Sequence, residues 1–171
     1  MRTGDDRFSM RLLGRALLTI FVDADACPVK EEVQRVADRH QLTVYIVSNG
    51  GIRPSRNPRV HSVNVTEGAD AADNWIADRI EEFDIAITAD VPLASRCLKK
   101  GASAIGPSGR VFTAENIGMA LGMRELSRHL REATGKQTLH AGFTKQDRSR
   151  FLEALENEIQ AIKRGAASIR R

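Results

Sequence analysis

Leu17-Leu18-Thr19-Ile20-Phe21-Val22-Asp23-Ala24-Asp25-Ala26-Cys27-Pro28-Val29-Lys30 is the stretch on which the fold turns. Its apolar, β-branched opening predicts a buried strand over 17–22, closed by the carboxylates of Asp23 and Asp25. Pro28 stands at a natural first helical position, and Val29, Val33, Val36 and Ala37 keep helical spacing toward His40. A strand running directly into a helix is the start of a parallel α/β sheet. Such a sheet collects its ligands at the carboxyl ends of its strands.

The same alternation continues outward. Leu42 to Val47 predicts a second strand, and Ser48 to Arg59, with its glycines, prolines and arginines, a loop. Val60 to Val65 alternates as a third strand, and Asp70 to Glu82 carries a helical stripe through Ala72, Trp75, Ile76, Arg79 and Ile80. Ile85 to Thr88 is a short buried strand. Pro92 opens a helix through Leu93, Cys97 and Leu98 to a stop at Gly101, and Ser103 to Ile105 forms a further strand. Thr113 is placed to cap a longer helix through Ile117, Leu121, Leu126 and Leu130. The loop Thr134 to Gly142 then leads to a last helix, capped by Thr144 and buried along Phe151, Leu152, Leu155, Ile159 and Ile162. The expected fold class is α/β: a three-layer α/β/α unit with a mostly parallel sheet and C-terminal helices. One domain is expected over 17–164, with a loose extension at 1–16 and a tail at 165–171.

Composition narrows the class. The chain of 171 residues has a formal net charge of +4, unevenly spread. Acidic residues dominate the strand-end motifs, while basic ones gather in Arg53 to Arg59, Arg124 to Arg131 and Lys145 to Arg150. An acidic pocket with a basic surround suits a polyanion held by its phosphates, although solvated surface charge explains any one cluster equally well. No apolar run approaches the ~20 residues of a membrane span, and the segment before Asp23 lacks a signal-peptide cleavage pattern. Cys27 and Cys97 have no pair spacing, so reduced thiols and a cytoplasmic location are expected. His40, His61, His129 and His140 lack zinc-ligand spacing.

The chemistry-bearing residues are Asp23 and Asp25, then Asp70 and Asp73 in Gly68-Ala69-Asp70-Ala71-Ala72-Asp73, then Asp90 in Thr88-Ala89-Asp90. Carboxylates gathered at one sheet edge repel by roughly 3–4 kcal/mol per pair at ~4–5 Å and an effective dielectric of ~20. A divalent cation removes that repulsion, and Mg²⁺ or Mn²⁺ takes oxygen ligands. Asp25 either ligates or caps the helix beginning at Pro28. Asp70 and Asp73 share a helix face or serve only the helix dipole, and Asp90 can equally be a cap before Pro92. Ser48 and Asn49 end a strand beside the pocket and would position a phosphate, or simply turn the chain before Gly50-Gly51. Arg53, Arg56 and Arg59 would form a phosphate clamp, with Lys30 nearby. Cys27, close to a helix start and to Lys30, is either a thiol of lowered pKa or a buried structural cysteine. Trp75 and Tyr45 lie in core stripes, which gives base stacking little support.

Phe21-Val22-Asp23-Ala24-Asp25-Ala26-Cys27-Pro28-Val29-Lys30, Gly68-Ala69-Asp70-Ala71-Ala72-Asp73, Thr88-Ala89-Asp90-Val91-Pro92-Leu93-Ala94 and Lys145-Gln146-Asp147-Arg148 resemble the YaiI/YqxD family of bacterial proteins. The resemblance runs from Leu17 to about Arg164. That family has no assigned function and is similar in turn to the PIN-like nucleases, whose acidic residues bind Mg²⁺ or Mn²⁺ for phosphodiester hydrolysis. The resemblance implies a metal-dependent nuclease with Asp23, Asp73 and Asp90 as its catalytic carboxylates and Asp70 as a ligand beside Asp73, while Asp25 is a further candidate ligand by its place two residues after Asp23. RNA is the implied partner. A fourth carboxylate past Asp90 is missing at the usual place, where Glu115 is a poor substitute.

Two alternatives belong to other classes. Asp23-Ala24-Asp25 with Val47-Ser48-Asn49 also resembles the phosphatases of the haloacid-dehalogenase type, in which the paired aspartates act as nucleophile and general acid. Ala26-Cys27 departs from that pattern, and no lysine precedes a paired-Asp motif in the proper order. A noncatalytic RNA-binding module with a vestigial pocket is the third class.

Overall fold

The structure, a computed structural model, describes residues 18–25, 27–66, 68–135 and 142–169. The expected N-terminal extension and most of the Thr134–Gly142 loop lie outside the described residues. Within them, strands β1 (Thr19–Asp23), β2 (Thr43–Ser48), β3 (Val60–Asn64), β4 (Ile85–Ile87) and β5 (Ser103–Ile105) pair in parallel, and β6 (Val111–Phe112) joins antiparallel to β5. The sheet order is β3-β2-β1-β4-β5-β6. Helices are α1 (Lys30–Arg39), α2 (Ala71–Arg79), α3 (Val91–Lys99), α4 (Ile117–Thr134) and α5 (Lys145–Ile169).

Strand alternation sorts β1 between two cores. Ile20 and Val22 face α1 and α5, packing with Val29, Val33, Phe151, Leu155 and Ile159. Phe21 faces α2 and α3, with Ile76, Ile80, Leu93 and Cys97. Both faces of a parallel sheet are thus covered, which is why its strands are apolar throughout. The three-layer α/β/α expectation holds.

Differences are local. Lys30, not Pro28, begins α1; Val29 is its N-cap, and Pro28 precedes it on an exposed turn. β6 is unforeseen because two residues carry no periodicity. It is held by the turn in which Gly109 donates to the Gly106 carbonyl and Gly106 to that of Arg110. Gly109 has φ +92°, and a Cβ there would lie 2.7 Å from the Arg150 backbone, so only glycine lets α5 pass this turn. Thr113 and Asn116 exchange hydrogen bonds, but they close a turn ahead of α4, whose N-cap is Asn116. Thr144 caps α5 as expected, in a reciprocal box with Asp147. That helix continues past Arg164 to Ile169. No helix among the described residues is long and apolar enough to cross a membrane.

Candidate active site: an acidic crevice at the switch point

The chain runs outward from β1 to β2 and β3, then returns to β4 on the other side of β1. Connections leaving β1 and β4 therefore diverge, opening the crevice where α/β sheets bind ligands. Asp23 ends β1 on its lip, and Thr88-Ala89-Asp90 leaves β4 on the other. Thr88 joins them. Its buried hydroxyl donates to Asp23 Oδ2 at 2.9 Å and accepts from the Asp90 amide at 3.0 Å. Asp90 Oδ1 accepts from the Leu93 amide at 2.9 Å, so Asp90 is the N-cap of α3 and also a wall of the crevice. Thr88 was visible in the sequence only as part of the Thr-x-Asp spacing; its bond to Asp23, 65 positions away, was not.

The electrostatics are those of crowded anions. Burial raises the Asp23 carboxyl above its ordinary range, opposed by the Thr88 hydrogen bond and reinforced by repulsion from Asp25 and Asp90. Asp73, in the first turn of α2, is pushed up to about 6, chiefly by burial and then by Asp90, Asp23 and Asp70. The opposing charge is Arg96 on α3, whose guanidinium also donates to Asn74 Oδ1 at 2.9 Å. Asp23, Asp73 and Asp90 therefore share one field, with exposed Asp70 contributing from the α2 N-cap position, where its side chain makes no capping bond. As donors they suit a hard cation, all being carboxylate oxygens. They are not preassembled around one: among the described residues no three His, Cys, Asp or Glu side chains stand ready to hold a metal ion.

Several expected roles change. Asp25 does not cap α1. Its Oδ1 accepts from Ser48 Oγ at 2.9 Å and its Oδ2 from the Asn49 amide at 3.2 Å, tying the β1 and β2 loops together. Ser48 is buried, and its single proton is committed to Asp25, so it positions that carboxylate rather than facing a phosphate. Asn49 is exposed and reaches the Ala69 carbonyl at 3.4 Å. Lys30 places its ammonium 3.4 Å from the Ala24 carbonyl, beside the crevice.

The basic loop spans the sheet from end to end. Ile52 is held by Asn64, at the carboxyl end of β3, which keeps exposed Arg53 at the carboxyl edge of the sheet. Asn57 is held by Asp38 near the end of α1, and the Arg59 carbonyl accepts from Val44 at the start of β2. Arg59 thus lies at the amino edge, and Arg56 is carried toward it. The three arginines are thus spread along the loop between these anchors rather than gathered at one end of the sheet. Burial pushes the Cys27 thiol up, and Cys97 to about 12, so both are structural core cysteines. Tyr45 stacks on Phe21 and His61 and meets Trp75, an aromatic cluster with Arg79 over the indole.

The chain is similar over long stretches to other bacterial proteins. A UPF0178 protein of Rhodospirillum rubrum is 56% identical over 149 residues, covering 86% of this chain and 99% of its own. One from Parvibaculum lavamentivorans is 57% identical over 145 residues, 85% and 95% of the two chains. No solved structure matches. The family model described as "Uncharacterized BCR, YaiI/YqxD family" matches residues 21–161, from within the first strand through the crevice loops and into α5, and the chain belongs to the YaiI/YqxD family.

Proposed function

We propose that the crevice takes up Mg²⁺ or Mn²⁺ through Asp23, Asp73 and Asp90 and hydrolyses phosphodiester bonds, in RNA rather than DNA. The observation that supports this most is the convergence of Asp23, Asp73 and Asp90 at a ligand-binding position of the sheet, where burial and the neighbouring carboxylates push the Asp73 carboxyl up to about 6. Packing gains nothing from such crowding, and a cation would relieve it. When bound, the cation supplies Lewis-acid activation of water and of phosphoryl oxygens. The chain supplies the rest. Thr88 holds the Asp23 carboxylate in place and, through the Asp90 amide, sets the spacing between the two lips. Arg53 and Lys30 neutralise flanking phosphates, and the preference for RNA rests on the PIN-like resemblance alone. The two buried free thiols suit the reducing cytoplasm.

The phosphatase reading fares worse on one observation. Both Asp25 oxygens are taken up by hydrogen bonds from Ser48 Oγ and the Asn49 amide, which tie the β1 and β2 loops together where a general acid would have to face the substrate.

A Mn²⁺ titration followed by melting temperature tests the pocket without a substrate. Saturation at about 100 times the dissociation constant should stabilise the wild type by about 2.7 kcal/mol, and Asp73→Asn much less. In the absence of metal the sign reverses. The raised Asp73 pKa means that its ionised form destabilises the fold, a penalty absent below the unfolded value of 3.8 and complete above about 6. Asp73→Asn should therefore gain about 1 kcal/mol at pH 8, after allowance for solvent screening, and nothing at pH 3.5. For turnover, a mixed single-stranded RNA pool is run beside a phosphomonoester panel. RNA cleavage that requires Mg²⁺ or Mn²⁺ and is lost in Asp90→Asn supports the nuclease. Monoester turnover inhibited by beryllium fluoride would give the crevice to the phosphatase, and RNA binding without turnover to the binding module.

A further inference from the structure

Among the described residues, only the first turn of α4 is packed: Ala120 is buried, and the helix rests there on α3. From 122 to 135 every residue is exposed. An unsupported helix of this length is marginal in water, and its stability ordinarily comes from packing an apolar face. Such a face exists. Met119, Met123, Leu126 and Leu130 are 75, 58, 52 and 54% exposed. Their spacing of four, three and four is that of a heptad seam. The charges avoid it: Arg124, Glu125, Arg128, Arg131 and Glu132 all fall on the outer positions, where Glu125 pairs with Arg128 and His129 of its own helix. The positions flanking the seam are Ala120, Gly122, Ser127 and His129. Gly122 is open, since a Cβ there would meet nothing within 4 Å, so this chain's own packing does not require a glycine in mid-helix.

We propose that this face is the docking surface for a second copy of the chain, with two α4 helices pairing antiparallel about a two-fold axis level with Arg124 and Glu125. In that register Met123 meets the partner's Leu126 and Leu130 meets the partner's Met119, and the two-fold repeats each contact. Every seam residue finds another seam residue, and no charge faces a charge. Gly122 lies beside the partner's His129, a gap beside a bulky ring. The four side chains expose on the order of 450 Å² per copy, within the range of patches that mark interaction sites. Two copies with their flanking residues approach the ~1,200 Å² of the smaller specific interfaces.

Sedimentation velocity of the full chain tests the pairing. The wild type should be dimeric at micromolar concentration. Leu126→Arg should raise the dissociation constant at least a hundredfold while circular dichroism and the melting temperature of the dilute protein stay unchanged. The register has its own test. An equal mixture of Met123→Cys and Leu126→Cys should cross-link on mild oxidation, while neither variant does so alone; Cys27 and Cys97 are buried and give no background. A wild type that stays monomeric at 100 times that concentration overturns the proposal, as does a dimer indifferent to Leu126→Arg. Cross-linking of either variant by itself overturns the antiparallel register. Cross-links from residues 1–17 to α4 within a monomer would assign the face to that segment instead.

Discussion

Helices α4 and α5 read alike in the sequence and end differently in the molecule. Each carries large apolar residues at helical spacing after a threonine cap signal. In α5, Phe151, Leu155 and Ile159 are wholly buried against α1 and the sheet. In α4, Leu126 and Leu130 stand in solvent. The polar contacts follow the same division. Arg148 of α5 reaches buried Glu32 of α1 at 3.0 Å, Glu158 accepts from Ser103 of β5, and Glu156 takes His40 and Arg39. The ion pairs of α4 are internal to the helix. An amphipathic pattern states that a face seeks cover; it does not say what provides it.

Truncating the two helices should separate them most sharply. Phe151→Ala removes a fully buried ring and should destabilise the fold by about 3–5 kcal/mol in urea unfolding. A loss below about 1 kcal/mol would mean that α5 is not docked as described.

The second comparison is by pH. Lys163 donates to His40 Nδ1 at 2.8 Å, which leaves the proton on Nε2 for Glu156. That bond holds the Glu156 carboxyl down at about 2, against an ordinary 4.5. With the folded value depressed, the stabilisation is complete above 4.5 and disappears as pH falls toward 2. Because Glu156 is partly exposed, about 1 kcal/mol is expected at pH 7. Glu156→Gln should lose that amount at neutral pH, and its unfolding curve should merge with the wild type's near pH 2. A gap that persists unchanged at pH 2 would assign the effect to packing.

The smallest effect is expected in α4. At nanomolar concentration Leu126→Ala should change unfolding stability by less than about 0.5 kcal/mol, since half of the residue is already exposed. A loss above about 2 kcal/mol in dilute solution would show cover from within the chain.

Much of the crevice was legible in advance because its signals are local. The apolar run ending in Asp23 marks a strand end, and Asp90 before Pro92 and the Thr144–Asp147 spacing mark helix starts, each within a few residues. What differs between sequence and structure depends on neighbours distant in sequence. Asp25 reads in the sequence as a metal ligand or a helix cap, and the fold places Ser48 beside it, 23 positions on. Arg53, Arg56 and Arg59 look like one cluster on the chain, but the anchors at Asn64, Asp38 and Val44 spread their loop along the sheet.

By itself the sequence determined the alternation of strands and helices, the two-sided burial of the strands and the placing of carboxylates where strands stop. Those follow from residue volume, β-branching and spacing along a few turns of chain. Only the tertiary structure decided the order β3-β2-β1-β4-β5-β6, and with it which carboxylates share a field. Strand order is a choice among long-range pairings that local preferences leave nearly equal. It is settled by how well whole layers pack, and so Asp23 comes to bond Thr88 and to share the field of Asp90 as well as that of its chain neighbour Asp25.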